Sequence, residues 1–158
     1  MRKSNPASSA RSSGRNPQLV ILCRPGLIGP FRPVVIYEGR GGLVKEHIVR
    51  FQAIAITTAQ VEIRGPCWSA CTLVTSFIPK ARLCFGAGSF LAFHMAKVIK
   101  TNTASVTGTY AVYAGYPSDI QDWIDHKGGW LKLPTPESRA YWTLRDRDLW
   151  AMGYSRCK

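Results

Sequence analysis

Between residues 32 and 94, short apolar runs alternate with longer segments of helical period, and Gly or Pro separates one from the next. Pro33-Val34-Val35-Ile36-Tyr37 is rich in β-branched residues and ends at Gly39-Arg40-Gly41-Gly42, so it reads as a buried strand closed by a glycine turn. Residues 43–58 contain neither Gly nor Pro, and Ile48, Phe51, Ile54 and Ala55 recur at helical spacing, which predicts a helix. Residues 59–64 alternate like a short strand until Gly65-Pro66 breaks them. Residues 67–77 are compact and apolar, and predict a buried helix entered through a turn and ended by Pro79. Residues 82–85 and 90–94 are strand-like, with a Gly86-Ala87-Gly88-Ser89 turn between them. The order β-α-β-α-β predicts an α/β fold with a mainly parallel sheet and crossover helices.

The second half is less regular. Residues 101–109 are small and polar, and read as a loop or a weak helix. Residues 118–127 predict a helix with Ser118 as N-cap and Asp119 in its first turn, stopped by Gly128-Gly129. Residues 144–152 predict a last helix closed by Gly153.

Length and charge narrow the function classes. A chain of 158 residues suits one domain. No stretch approaches the ~18 consecutive apolar residues of a membrane-spanning helix. The net charge is +12, and residues 1–40 carry seven Lys or Arg against Glu38 alone. Residues 1–18 read as a disordered basic tail and 19–158 as a single domain. The tail does not read as a secretory signal, because the apolar run at residues 19–23 is too short for one. As it stands the chain therefore reads as cytoplasmic; a start further upstream with a signal peptide would make it periplasmic. Cys23, Cys67, Cys71, Cys84 and Cys157 are an odd number, so at least one is unpaired within the chain. Thiols are the default in the cytosol, and the periplasm would let Cys67, Cys71, Cys84 or Cys157 pair. Cys84 and His94 do not form the second tight ligand pair that a zinc site would need beside Cys67 and Cys71, so neither a metal nor a cofactor is expected.

The segment Gly65-Pro66-Cys67-Trp68-Ser69-Ala70-Cys71-Thr72 lies between a predicted strand and a buried helix. A serine at such a junction can expose its hydroxyl at the carboxyl edge of a sheet. The free N–H groups and positive dipole end of the helix behind it suit a developing oxyanion. A serine nucleophile also needs a base within reach. His94 ends the run 90–93, and in a parallel sheet strand ends and strand-to-helix turns share one edge. On spacing alone, Ser69 equally reads as an ordinary N-cap and His94 as a half-buried histidine.

These residues together resemble a family. The Gly41-Gly42 turn, the helix and strand after it, Gly-x-x-x-Ser-Ala at Gly65 to Ala70, Pro79 with basic residues, and an apolar strand ending in Phe93-His94 are similar to the Clp protease proteolytic subunit. The closest likeness is to small bacterial Clp-like, crotonase-fold proteins predicted to be periplasmic. The 25-residue interval from Ser69 to His94 matches that family's nucleophile-to-histidine interval. The resemblance covers residues 34–95 and, more weakly, 134–153. It implies a β-α-β superhelix of the Clp and crotonase type, truncated on its N-terminal side by about one β-α-β unit. It implies Ser69 as nucleophile, His94 as general base, and the N–H groups of Gly42 and Ala70 as the oxyanion hole. Its aspartate slot falls at residues 137–141, where Glu137 is the nearest acid. Asp119, Asp122, Asp125, Asp146 and Asp148 are expected on exposed helix faces instead. The implied function is a serine peptidase acting on a peptide or protein that lies along the strand edge near Gly42, with a homo-oligomer as a further partner.

Two other readings compete with it. One is a catalytically inactive crotonase-like module that binds a peptide or protein. The other is a nucleic-acid-associated protein, suggested by the charge, by an acid-free span at residues 63–118 holding Arg64, Lys80, Arg82, Lys97 and Lys100, and by five Trp and six Tyr. The basic residues are scattered singly rather than striped, which argues against nucleic acid.

Overall fold

The computed structural model describes residues 32–158. The basic tail, the apolar run at 19–23 and Cys23 lie outside the described residues. The rest is an α/β structure whose larger sheet is parallel throughout. That sheet has the order β1-β2-β4-β7, from β1 (Val34–Ile36), β2 (Val61–Ile63), β4 (Leu83–Phe85) and β7 (Ser155–Arg156). A second sheet has the order β3-β5-β6, from β3 (Pro66–Trp68), β5 (Phe90–Phe93) and β6 (Trp142–Arg145). Here β3 and β5 run parallel, and β6 is antiparallel to β5. The single sheet expected from the alternation is therefore two. The chain leaves the first sheet at Gly65 and enters the second one residue later. Gly65 permits that corner, because a Cβ there would overlap the Tyr37 carbonyl.

Helix α1 (Val44–Ala55) crosses from β1 to β2 and buries Phe51 completely. Arg82, at the entry to β4, closes its C-terminal end. The guanidinium donates to the carbonyls of Ile54, Ala55 and Ala59 at 2.8–3.1 Å, satisfying acceptors that the last turn leaves open. Val61, Ile63, Leu83 and Phe85 of the first sheet, Leu91 and Leu144 of the second, and Ile120, Ile124 and Leu149 of the helices are at most 1% exposed and belong to one core.

Several elements differ from the sequence expectation. Cys67 and Trp68 belong to strand β3, not to the buried helix, and the helical path starts only at Ser69. It runs as a 3₁₀ turn (Ser69–Leu73) into a single α turn, α2 (Val74–Phe77). The apolar run could not distinguish these, because Cys67 of the strand and Cys71, Leu73 and Val74 of the helical path are all buried, and a short apolar run fits either. Helix α3 (Val106–Tyr113) forms where a loop or weak helix was expected, and the Ser105 hydroxyl accepts from the Gly108 N–H at its start. Helix α4 (Ser118–His126) has Pro117 at its N-cap, and Ser118 lies inside the first turn. Gly128 and Gly129 stop it with φ of 116° and 88°. The predicted last helix divides into strand β6 and α5 (Asp146–Ala151), since Leu144 pairs with Leu91 in the sheet and Asp146 starts the helix. Strand β7 was not expected, and it pairs with β4 beside the Cys84–Cys157 disulfide. A second disulfide joins Cys67 and Cys71. Of the two states left open for these four cysteines, thiols in the cytosol or pairing in the periplasm, they adopt the paired one, as two bonds. No described helix is long and apolar enough to cross a membrane.

Candidate active site

Strands β3 and β5 are parallel neighbours, with Trp68 level with Ala92. One residue beyond Trp68 is Ser69, and two beyond Ala92 is His94. Both side chains therefore emerge at the carboxyl ends of adjacent strands, where irregular backbone can approach a ligand. They meet there, with Ser69 Oγ 2.7 Å from His94 Nε2. Ser69 has a left-handed backbone (φ 51°), which costs a residue other than glycine about 1–3 kcal/mol. Its carbonyl accepts from the Thr72 hydroxyl at 2.6 Å, and that hydroxyl also bonds the buried Tyr116 hydroxyl at 2.6 Å. The turn is thus held from beneath.

The expected donors flank this pair. Ala70 follows Ser69 at the start of the 3₁₀ turn, where N–H groups have no acceptor within the helix. The N–H groups of Gly41, Gly42 and Ala70 make no hydrogen bond to other elements among the described residues. Gly41 and Gly42 line a cleft of about 940 Å³ together with Ser69, His94, Lys97 and Tyr141. The close approach belongs to Gly41, where a Cβ would stand 2.8 Å from Ser69 Cβ. At Gly42 a Cβ would touch only the His47 ring, at 3.4 Å. Sequence reasoning chose the second glycine of the pair and overlooked the tighter constraint on the first.

His94 is half-buried. Burial holds its pKa below the ordinary 6.5, and the nearby charge of Lys97 lowers it further, while the Met95 backbone carbonyl opposes both. The shift favours the neutral imidazole, which accepts a proton at Nε2 only when its own proton is on Nδ1. The Met95 carbonyl does not reach hydrogen-bond geometry there. Nδ1 is buried and has no partner among the described residues.

Of residues 137–141, it is Tyr141 that comes to the histidine. That ring meets His94 edge-on at 4.9 Å and Trp68 at 4.9 Å. Glu137 is exposed, and its carboxyl is held below the usual carboxylate range by its own backbone N–H, by Thr135 and by the Ala104 backbone. Three of the five aspartates are engaged elsewhere: Asp119 with Lys80, Asp125 with the Tyr113 hydroxyl, and Asp146 with the Gly88 N–H. Tyr141 was missed because an aromatic residue in a Pro-rich loop carries no spacing signal.

Two cavities adjoin the cleft. A small one of about 30 Å³ lies behind Ser69 against Ala70, Thr72, Phe93 and Leu133. A larger one of about 450 Å³ shares Val44, Ala96 and Lys97 with the cleft and is mostly apolar, with Ile48, Leu73 and Phe77 in its wall. Asn102 (φ 56°) and Arg139 (φ 54°) also line the cleft, so all three described non-glycine residues with positive φ face one site. Such residues gather where surrounding structure holds a functional geometry in place.

The cations of the acid-free span are largely engaged within the fold. Arg64 pairs with Glu62, Lys80 with Asp119, and Arg82 with α1, which leaves little of that span for a nucleic-acid surface. The only described His, Cys, Asp and Glu cluster of metal-ligand size is Glu62, Cys84 and Cys157, and its two sulfurs are already bonded to each other. Compared with protein-family models, curated proteins and solved structures, the chain matches none.

Proposed function

We propose that the protein is a serine hydrolase, most specifically a Clp-like serine peptidase that uses a Ser69–His94 dyad without an acid. The observation that carries this reading is the 2.7 Å contact between Ser69 Oγ and His94 Nε2 at the ends of two parallel strands. In this mechanism Ser69 Oγ attacks the scissile carbonyl carbon while Nε2 takes the hydroxyl proton. The carbonyl oxygen becomes an oxyanion facing the N–H groups of Ala70 and the Gly41-Gly42 turn. Each well-placed donor of this kind stabilises the transition state by about 3–4 kcal/mol. His94 then gives its proton to the leaving amine, and water, deprotonated by the same nitrogen, releases the acyl group. The lowered pKa of His94 keeps the base form available. The apolar cavity beside Val44 and Ala96 suits an apolar side chain of an extended peptide. A Clp and crotonase-type fold is the finer architecture that fits the parallel sheet and this placement of Ser69 and His94. Two disulfides favour an oxidising compartment, which accords with a periplasmic location.

The orphaned Nδ1 favours one rival, a binding module that retains the dyad geometry without turnover. An acid at that nitrogen is worth about 10⁴-fold in kcat in Ser-His-Asp enzymes. The test is covalent labelling of the folded, oxidised protein with a fluorophosphonate, followed by peptide mass mapping. The hydrolase reading expects the adduct on Ser69 and none in Ser69→Ala. A folded sample that takes no label overturns it in favour of the module.

A further inference from the structure

The Cys67–Cys71 disulfide encloses Ser69, and each of its ends is anchored to a different part of the site. Cys67 is fully buried in β3, in register with Leu91 of β5, the strand that leads to His94. It also faces Gly39 in an isolated parallel bridge. There the Gly39 N–H donates to the Pro66 carbonyl, and the Trp68 N–H donates to the Gly39 carbonyl, both at 2.7 Å. Gly39 opens the segment that carries Gly41 and Gly42. Cys71 lies in the 3₁₀ turn, one residue after Ala70, and its Sγ rests on Gly39 so closely that a Cβ there would overlap it. Strand, turn and glycine segment therefore converge on one sulfur pair.

The chain between the two cysteines is forced to fold back. Four residues of extended strand would span ~13 Å, whereas the Cα atoms of Cys67 and Cys71 are 5.3 Å apart. β3 must therefore end at Trp68, and the reversal falls on Ser69, which takes the left-handed backbone that residues with a Cβ avoid. Side-chain capping does not supply this constraint, for the residue before the turn, Trp68, makes no cap hydrogen bond.

We propose that Cys67 and Cys71 are positioning residues of the site: their disulfide holds Ser69 Oγ against His94 Nε2 and keeps Ala70 and the Gly41-Gly42 turn beside it. The inference rests on the serine-hydrolase reading for its effect on rate and on the geometry alone for its effect on the dyad. Oxidation of this one pair is then a condition for a competent site. Its opening consumes two electrons and two protons from a dithiol, which becomes a cyclic disulfide as Cys67 and Cys71 become thiols.

The experiment compares full-length protein with Cys67→Ala/Cys71→Ala and with Cys84→Ala/Cys157→Ala, each in a Cys23→Ser background so that no odd thiol exchanges. Two quantities are measured: the rate of Ser69 labelling by a fluorophosphonate, and the imidazole nitrogen signals of His94 by NMR with Ser69→Ala as reference. The Cys67/Cys71 variant is expected to label about 100-fold more slowly, the scale of an ångström misplacement. Its His94 signals should move to those of Ser69→Ala. The Cys84/Cys157 variant should keep the unsubstituted rate and signals. A folded Cys67/Cys71 variant with unchanged signals and rate overturns the proposal. If the unsubstituted protein takes no label, the hydrolase reading fails and the His94 signals alone decide: a shift supports positioning, and none overturns it. If the Cys67/Cys71 variant does not fold, the Cys84/Cys157 variant is opened with a dithiol and reoxidised. Loss and return of the His94 signals support the proposal, and indifference to the reductant overturns it.

Discussion

The two sheets are built from similar short strands and do different work. The four-stranded sheet is parallel throughout and carries much of the buried core, and its last strand is tied back by a disulfide that spans 73 residues of sequence. The three-stranded sheet is mixed, and its disulfide spans four residues around Ser69. In the chain-entropy account a bond that closes the longer loop restrains the unfolded chain more, about 4 kcal/mol against about 2. One staple thus serves mainly stability, while the other encloses the turn that bears Ser69. Strain follows the same division. The described non-glycine residues with positive φ all line the cleft, whereas strands β1, β2 and β4 are regular.

If this division holds, substitutions in the two regions separate in their readouts. Ser69→Ala should abolish hydrolysis and labelling while leaving the melting temperature within a few degrees of the starting protein, checked by calorimetry. Cys84→Ala/Cys157→Ala should lower unfolding free energy by about 4 kcal/mol in denaturant titration, with kcat unchanged wherever the protein remains folded. A fall in kcat there would mean that the parallel sheet also sets the site. Gly41→Ala should reduce kcat about 100-fold with a modest loss of stability, because the new Cβ would press on the backbone-locked Ser69 from 2.8 Å. Gly42→Ala should have a smaller effect, since only the His47 ring must yield.

The smallest effect expected is in the pH profile. Burial and Lys97 lower the pKa of His94, and the base acts when neutral, so kcat/KM should rise with pH along a limb centred below pH 6.5 and then level off. Lys97→Ala removes one cause of the depression. The pKa of His94 should rise, and the limb should move to higher pH with the plateau unchanged. A limb that moves lower would show that Lys97 does not act on His94 through its charge.

The alternation from Val34 to His94 was legible because β-branched runs, helical spacing and glycine breaks agree there, and β1, α1, β2, β4 and β5 follow it. The meeting of Ser69 with His94 followed from parallel neighbours sharing one edge. Helix α3 was only half legible: residues 101–109 read as a loop or a weak helix, and its start depends on the Ser105 cap. Strand β6 was hidden in an apolar stretch that satisfies helical spacing equally well, and the pairing of Leu144 with Leu91 decides it. Of residues 137–141, where Glu137 was the nearest acid, Tyr141 stands beside His94 and Glu137 is exposed.

The sequence by itself determined the α/β class and the glycine turn, for these depend on local composition and short spacings; it singled out Ser69 and His94 only through the resemblance of their motifs, since spacing alone fits an N-cap serine and a half-buried histidine equally well. Only the tertiary structure decided that the described residues form two sheets, that Cys67 pairs with Cys71 and Cys84 with Cys157, that Gly41 is the tight glycine, and that His94 Nδ1 has no partner among the described residues. Each of these depends on contacts between segments distant in sequence or on the path of a turn, which one-dimensional spacing does not encode.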